Sequence, residues 1–83
     1  MTSITRRRPV QAGAILALEA RYWALEEAFS QAVREEERTG VETGRVEELI
    51  AETVEIASGL ANLKAETGPE LAAKLRVFRH EAG

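Results

Sequence analysis

The sequence contains no cysteine and no aspartate, and it has one histidine and two prolines among 83 residues. Without cysteine the chain cannot form disulfides, use a thiol nucleophile or build a cysteine metal site. All fourteen acidic residues are glutamate, which is a better helix former than aspartate. These absences exclude disulfide-rich and thiol-dependent proteins and favour a helical chain.

Long apolar runs are also missing. No run approaches the roughly 18 to 20 residues that a membrane-spanning helix needs. The arginines of residues 1–9 are not followed by an apolar stretch that lacks charge for long enough before Glu19 to be a cleaved signal. We therefore expect a cytoplasmic protein with no membrane partner. A chain of 83 residues forms one small domain, and oligomerisation often supplements the core at this size.

Apolar residues recur at alternating spacings of three and four along residues 9–38, which is typical of a long amphipathic helix. Pro9 suits its first position. Leu16 and Trp23 each come one residue after a member of the main apolar seam and form a second apolar strip beside it. A single neighbouring helix therefore cannot cover every apolar residue. The seam consists of Ile15, Leu18, Tyr22, Leu25, Phe29 and Ala32.

A second helix is predicted over residues 44–66, after a turn that contains two glycines. Thr39 and Glu42 match a Thr-x-x-Glu capping box, in which each side chain bonds to the backbone of the other residue. The apolar seam of this helix consists of Val46, Leu49, Thr53, Ile56, Leu60 and Leu63.

The third predicted helix covers residues 68–81. Thr67 and Glu70 form a second Thr-x-x-Glu box, and Pro69 lies in the first turn. Basic residues collect near the C-terminus, where the helix dipole favours positive charge. The predicted apolar stripe of this helix consists of Leu71, Leu75 and Phe78.

Together these segments predict an all-α, bundle-forming fold, an antiparallel helical hairpin of two long helices plus a short third helix. Residues 1–8 are expected to be a flexible basic arm, and residues 9–83 a single helical domain. The third helix is expected to cover Leu16 and Trp23. It leaves an apolar surface near the turn without a third layer, which we interpret as a dimer interface. That predicted interface consists of Val33, Val46, Ile50 and Val54.

The charges are separated along the chain. Residues 1–8 contain three arginines and no acid, whereas residues 19–55 contain eleven glutamates and four arginines. Like charges repel, so we expect a homodimer to be antiparallel and two-fold symmetric, with the acidic tip of one copy near the basic end of the other.

The sequence predicts no catalytic residue, no cofactor site and no metal site, and therefore not an enzyme. No nucleophile, base and orienting group can be assembled from these residue types. His80 is interpreted as a solvated charge near the C-terminus. The glutamates at residues 35–37, 47 and 48 are interpreted as a solvated acidic tip, because adjacent glutamates on a helix point in different directions.

A non-enzymatic helical protein–protein interaction module that self-associates is thus the leading hypothesis. The alternative is a small nucleic-acid-associated regulator, because clustered cations bind phosphate. The acidic residues in the middle of the chain argue against binding to nucleic acid. The residues of that alternative are Arg6, Arg7, Arg8, Lys74, Arg76 and Arg79.

A short three-helix chain with Arg21 and Arg38 seventeen residues apart on its long helix resembles the all-helical chorismate mutases. That resemblance implies an enzyme as a distant alternative. The chain departs from the family pattern because no lysine follows in the turn and the third helix lacks the glutamine. Asn62 and Leu63 also stand where an acid is expected.

The segment at residues 66–78 carries the pattern Thr-x-x-x-Leu-Ala-Ala-Lys-Leu-Arg-Val. It resembles the C-terminal segment of small uncharacterised helical proteins of alphaproteobacterial genomes and their prophages. The resemblance covers about a sixth of the chain, since it spans 13 of 83 residues. It implies a bacterial protein and brings no active-site residues with it.

Overall fold

The computed structural model describes the backbone of residues 2–83 and the side chains from residue 13 onward. This part of the chain forms three α-helices and no strand, which confirms the all-α prediction. The helices are α1 (Thr2–Thr39), α2 (Arg45–Asn62) and α3 (Gly68–Ala82).

The helix boundaries differ from the predicted ones mainly at two places. α1 begins at Thr2 rather than at Pro9, in keeping with the high helix propensity of arginine. α2 ends at Asn62 rather than at residue 66, because Leu63 has an extended backbone and donates its N–H to the carbonyl of Leu60. The longer connection this leaves lets α3 turn back onto α1.

The predicted capping box of Thr39 and Glu42 does not form. Thr39 is the last residue of α1, and its hydroxyl donates to the carbonyl of Glu35 over 3.0 Å and accepts from the N–H of Val41 over 3.2 Å. α2 begins later, after Gly44, which has a φ of 82° and provides no side-chain cap. The left-handed conformation of both turn glycines, at 40 and 44, instead reverses the chain.

The second predicted capping box, that of Thr67 and Glu70, forms on the Thr67 side, while the Glu70 carboxylate bonds to the Thr67 hydroxyl and the Glu66 N–H in place of the Thr67 N–H. The Thr67 hydroxyl accepts from the Glu70 N–H over 3.3 Å and donates to the Glu70 carboxylate over 2.9 Å. That carboxylate also accepts the N–H of Glu66 over 3.0 Å, so this buried acid accepts two hydrogen bonds at the start of α3.

The core lies where all three helices meet. Gly59 of α2 packs against the side chain of Leu18 of α1, and Arg21 pairs with Glu52 at 3.7 Å. The buried hydrophobic side chains of the described part are Ile15, Tyr22, Leu25, Leu49, Leu60, Ala73 and Val77. Three of the predicted seam positions of α1 are thus buried, two of them fully, as their spacing predicts.

Of the apolar stripe predicted for α3, Phe78 packs against the core, whereas the other two residues do not face it. Ala73 and Val77, one turn apart, are buried, whereas Leu71 and Leu75 are 52% and 57% exposed. A small and a β-branched residue let α3 lie close to α1, and the two leucines remain on its outer side. Leu16 is also exposed, at 44%, so the expectation that α3 covers it is wrong.

The molecule is elongated, with extents of 58 × 24 × 16 Å. This shape follows from α1, which at about 1.5 Å per residue is far longer than α2 or α3. Over the residues that the structure describes, no helix has the length and apolar character needed to cross a bilayer.

Candidate functional site

The largest concentration of interacting polar side chains lies where the last two turns of α3 pack on α1. Tyr22 is fully buried there, and its ring meets those of Trp23 and His80 edge-to-face at centroid distances of 4.9 and 5.7 Å. Trp23 and His80 contact each other at 5.1 Å. Such edge-to-face contacts hold rings in a defined orientation. The three rings therefore join α1 to α3.

Glu19 forms the polar centre on one side of these rings. Its carboxylate accepts from the indole N–H of Trp23 over 3.1 Å and from Nε and Nη2 of Arg76 over 2.6 and 2.9 Å. The hydrogen bonds from Arg76 hold the pKa of Glu19 below its ordinary value, although burial opposes this. Glu19 therefore stays ionised and ties α3 to α1 at neutral pH.

Tyr22 forms the polar centre on the other side. Its hydroxyl donates to the carboxylate of Glu81 and lies 2.8 Å from Nδ1 of His80. Burial raises the pKa of Tyr22, with further contributions from Glu81 and Glu26, so the phenol remains neutral. Since its one proton goes to Glu81, its oxygen is free to accept from a protonated Nδ1 of His80.

A third carboxylate completes this cluster. Glu26, one turn after Tyr22 on α1, lies beside His80 and Glu81, and one ligand atom from each of the three falls within 4.8 Å of the others. Glu26 is half-buried, while His80 and Glu81 are exposed. This combination of one imidazole and two carboxylates is chemically capable of holding a divalent cation.

The predicted dimer residues occupy two environments. Ile50 and Val54 are 47% and 54% exposed, whereas Val33 and Val46 are half-buried within the single chain. Ile50 and Val54 line a groove together with Glu26 and Phe29 of α1 and Glu81 of α3.

Of the three described basic residues of the nucleic-acid alternative, two are already engaged by other groups of the chain. Arg76 is held by Glu19, and the ammonium of Lys74 donates to the carbonyl of Leu63. Arg79 is exposed and lines an open groove with Trp23. The side chains of Arg6, Arg7 and Arg8 lie outside the described residues.

The two arginines that resemble those of chorismate mutases are both on α1 and both exposed. Arg21 pairs with Glu52, and Arg38 makes two hydrogen bonds to Glu35 on its own helix. Their pairing with glutamates gives each a structural role at the surface.

Sequence reasoning missed the cluster of Glu26, His80 and Glu81. His80 is exposed, as predicted, but it is hydrogen-bonded to Tyr22 rather than simply solvated. The i, i+4 spacing of Tyr22 and Glu26 placed those two side chains on one helix face. Predicting that His80 and Glu81 meet Glu26 would have required the position of α3 along α1, which is set by tertiary packing.

Comparisons of the chain with protein-family models, with curated proteins and with solved structures found no match. What the protein does is therefore inferred from the chemistry of its own residues.

Proposed function

We propose that the protein is a non-enzymatic interaction module that assembles as an antiparallel homodimer. The single observation that carries this is the exposed pair Ile50 and Val54, one turn apart on α2, in a groove beyond the end of α3. Apolar side chains arranged in this way mark interaction surfaces.

An antiparallel hairpin of α1 and α2 underlies the proposal. Along α1 the contacts ascend from Leu18 to Arg21, while their partners on α2 descend from Gly59 to Glu52. At the turn, the Glu36 carboxylate accepts from the N–H of Thr43 over 3.3 Å. This order of contacts supports two helices that run in opposite directions.

The shape of one face supports a second copy as the occupant. α3 covers the part of the hairpin around Glu19 and Tyr22 and stops at the groove of Ile50 and Val54. A second chain turned by 180° would set its own α3 over this uncovered part. The outward Leu71 and Leu75 would then pack against the other copy's groove, and each apolar surface would bury its counterpart.

The charges favour the same orientation. The turn end of the hairpin is acidic, and the exposed Arg79 lies near the end of α3. An antiparallel pair brings the acidic end of one copy toward the partner's α3 and keeps the two acidic ends apart. Since exposed charges are screened, we assign affinity mainly to the apolar contacts and orientation to the charges.

Sedimentation of the full chain at micromolar concentration tests the dimer. We expect a species of twice the 9.1 kDa of one chain, which Ile50→Asp and Leu75→Asp convert to monomer. Ala51→Asp adds the same charge to an exposed position next to Ile50 and is the matched control. A wild-type monomer, or a dimer that survives both substitutions, would refute the proposal.

Orientation is measured separately with spin labels on cysteines introduced at residues 37 and 79, which is simple because the chain has no cysteine. We expect residue 37 of one copy to lie closer to the partner's residue 79 than to the partner's residue 37. The reverse order would indicate a parallel dimer. Binding to nucleic acid that weakens steeply with added salt would instead favour the nucleic-acid alternative.

A further inference from the structure

The C-terminal turn of α3 brings an imidazole and a carboxylate against a carboxylate of α1, and we propose that Glu26, His80 and Glu81 bind a zinc-class divalent ion. All three residues belong to one chain, and two of them, Glu26 and Glu81, also line the groove of the proposed dimer interface. The site also gives a role to the one histidine in the sequence.

The distances suit a site that closes around an ion. The three ligand atoms lie within 4.8 Å of one another. In a tetrahedral zinc site with bonds of about 2.1 Å, ligand atoms are roughly 3.4 Å apart. Glu81 is exposed and Glu26 is half-buried, so rotation of these two carboxylate side chains supplies the difference while the His80 ring stays against Tyr22. Three protein ligands leave a fourth position for water.

The ligand types indicate which ion is bound. Calcium and magnesium prefer sites made entirely of oxygen, whereas imidazole with carboxylates suits zinc and neighbouring transition metals. Arg76 makes two hydrogen bonds to Glu19 and is thereby committed elsewhere. Within the described part of the chain neither Glu26 nor Glu81 forms an ion pair with a basic side chain.

Tyr22 distinguishes this cluster from a solvated acidic patch. It is fully buried, and its hydroxyl contacts both Nδ1 of His80, at 2.8 Å, and the carboxylate of Glu81. Metal-binding histidines and carboxylates commonly carry such outer hydrogen bonds, which orient them. A bond at Nδ1 sets the orientation of the imidazole ring and leaves Nε2 for the ion.

Binding would also have a structural consequence. Glu26 belongs to α1, while His80 and Glu81 belong to the last turn of α3, so an ion held by all three links the two helices. Since the ion binds only the docked arrangement, it stabilises the folded chain and raises the unfolding midpoint as its concentration increases.

Calorimetric titration of the full chain with Zn²⁺, and the absorption spectrum with Co²⁺, test the site. We expect one ion per chain, and an affinity reduced by at least about 100-fold in Glu26→Gln and His80→Gln, since even outer-shell changes cost 10- to 100-fold. Glu47→Gln removes an exposed carboxylate of α2 and should leave the affinity unchanged.

Ring resonances of His80 provide a second readout that needs no variant. Zn²⁺ should shift them in the wild-type chain, and circular dichroism should show that both glutamine variants retain their helices. No heat and no shift at excess Zn²⁺ would overturn the proposal. So would an affinity that is the same in the wild type, Glu26→Gln and His80→Gln.

Discussion

The capping box at the start of α3 provides a sharp test of how this helix is held. Thr67→Ala removes a hydroxyl that accepts the Glu70 N–H over 3.3 Å, and loss of such a cap costs about 1 kcal/mol. The same hydroxyl donates to the Glu70 carboxylate, which is 2% exposed. Loss of this charge-assisted bond adds about 1 kcal/mol. We therefore expect Thr67→Ala to lower the free energy of unfolding by about 2 kcal/mol.

Urea unfolding at one fixed protein concentration, followed by circular dichroism and by Trp23 emission, measures this change. Thr67→Ser keeps the hydroxyl and should stay within about 0.5 kcal/mol of the wild type. Thr39→Ala removes an exposed hydroxyl at the end of α1 that caps no helix start, and it should cost about 0.5 kcal/mol or less. A loss below about 0.5 kcal/mol in Thr67→Ala, or equal losses in Thr67→Ala and Thr67→Ser, would refute the reasoning.

Three further outcomes are expected. Glu19 has a lowered pKa in the folded chain, so its contribution to the free energy of unfolding is present above its ordinary pKa and is lost as the pH falls through the folded value. The stability of Glu19→Gln should therefore decline less steeply with acid than that of the wild type, as urea midpoints between about pH 6 and 3 will show. Val77→Asp places a charge at a fully buried position of α3 and should red-shift Trp23 emission, which an unchanged spectrum would contradict. Gly40 has a φ of 72°, so Gly40→Ala should lower the free energy of unfolding by about 1–2 kcal/mol and with it the thermal midpoint. Gly13 lies within α1 with open space around it, so Gly13→Ala should raise the thermal midpoint.

The two Thr-x-x-Glu boxes show what local sequence can predict about a helix start and what it cannot. Both match the same pattern, yet only that of Thr67 and Glu70 forms, on its Thr67 side. Thr39 is still part of α1, and its hydroxyl bonds to the carbonyl of Glu35 on that helix. The pattern describes what a helix start prefers, and it does not decide where the preceding helix ends.

The position of the metal-ligand cluster shows where sequence reasoning stops. Glu26 and His80 are 54 positions apart, and nothing within either helix indicates that they meet. They meet because Ala73 and Val77, rather than Leu71 and Leu75, face α1. The volume of the side chains of α3, and how closely they let it approach α1, decided which face of α3 is buried. Both depend on the shape of the surface that α1 and α2 present.

Local sequence by itself determined that the chain is helical, that a turn with two glycines follows α1 and that Tyr22 and Leu60 are in the core, because periodicity and turn preferences act over a few residues. Only the tertiary structure decided the rotation of α3 and, with it, the contact of His80 with Tyr22 and the exposure of Leu75. Rotation of a short amphipathic helix depends on the shape of the surface it docks on, and that surface is assembled from residues far away in the sequence.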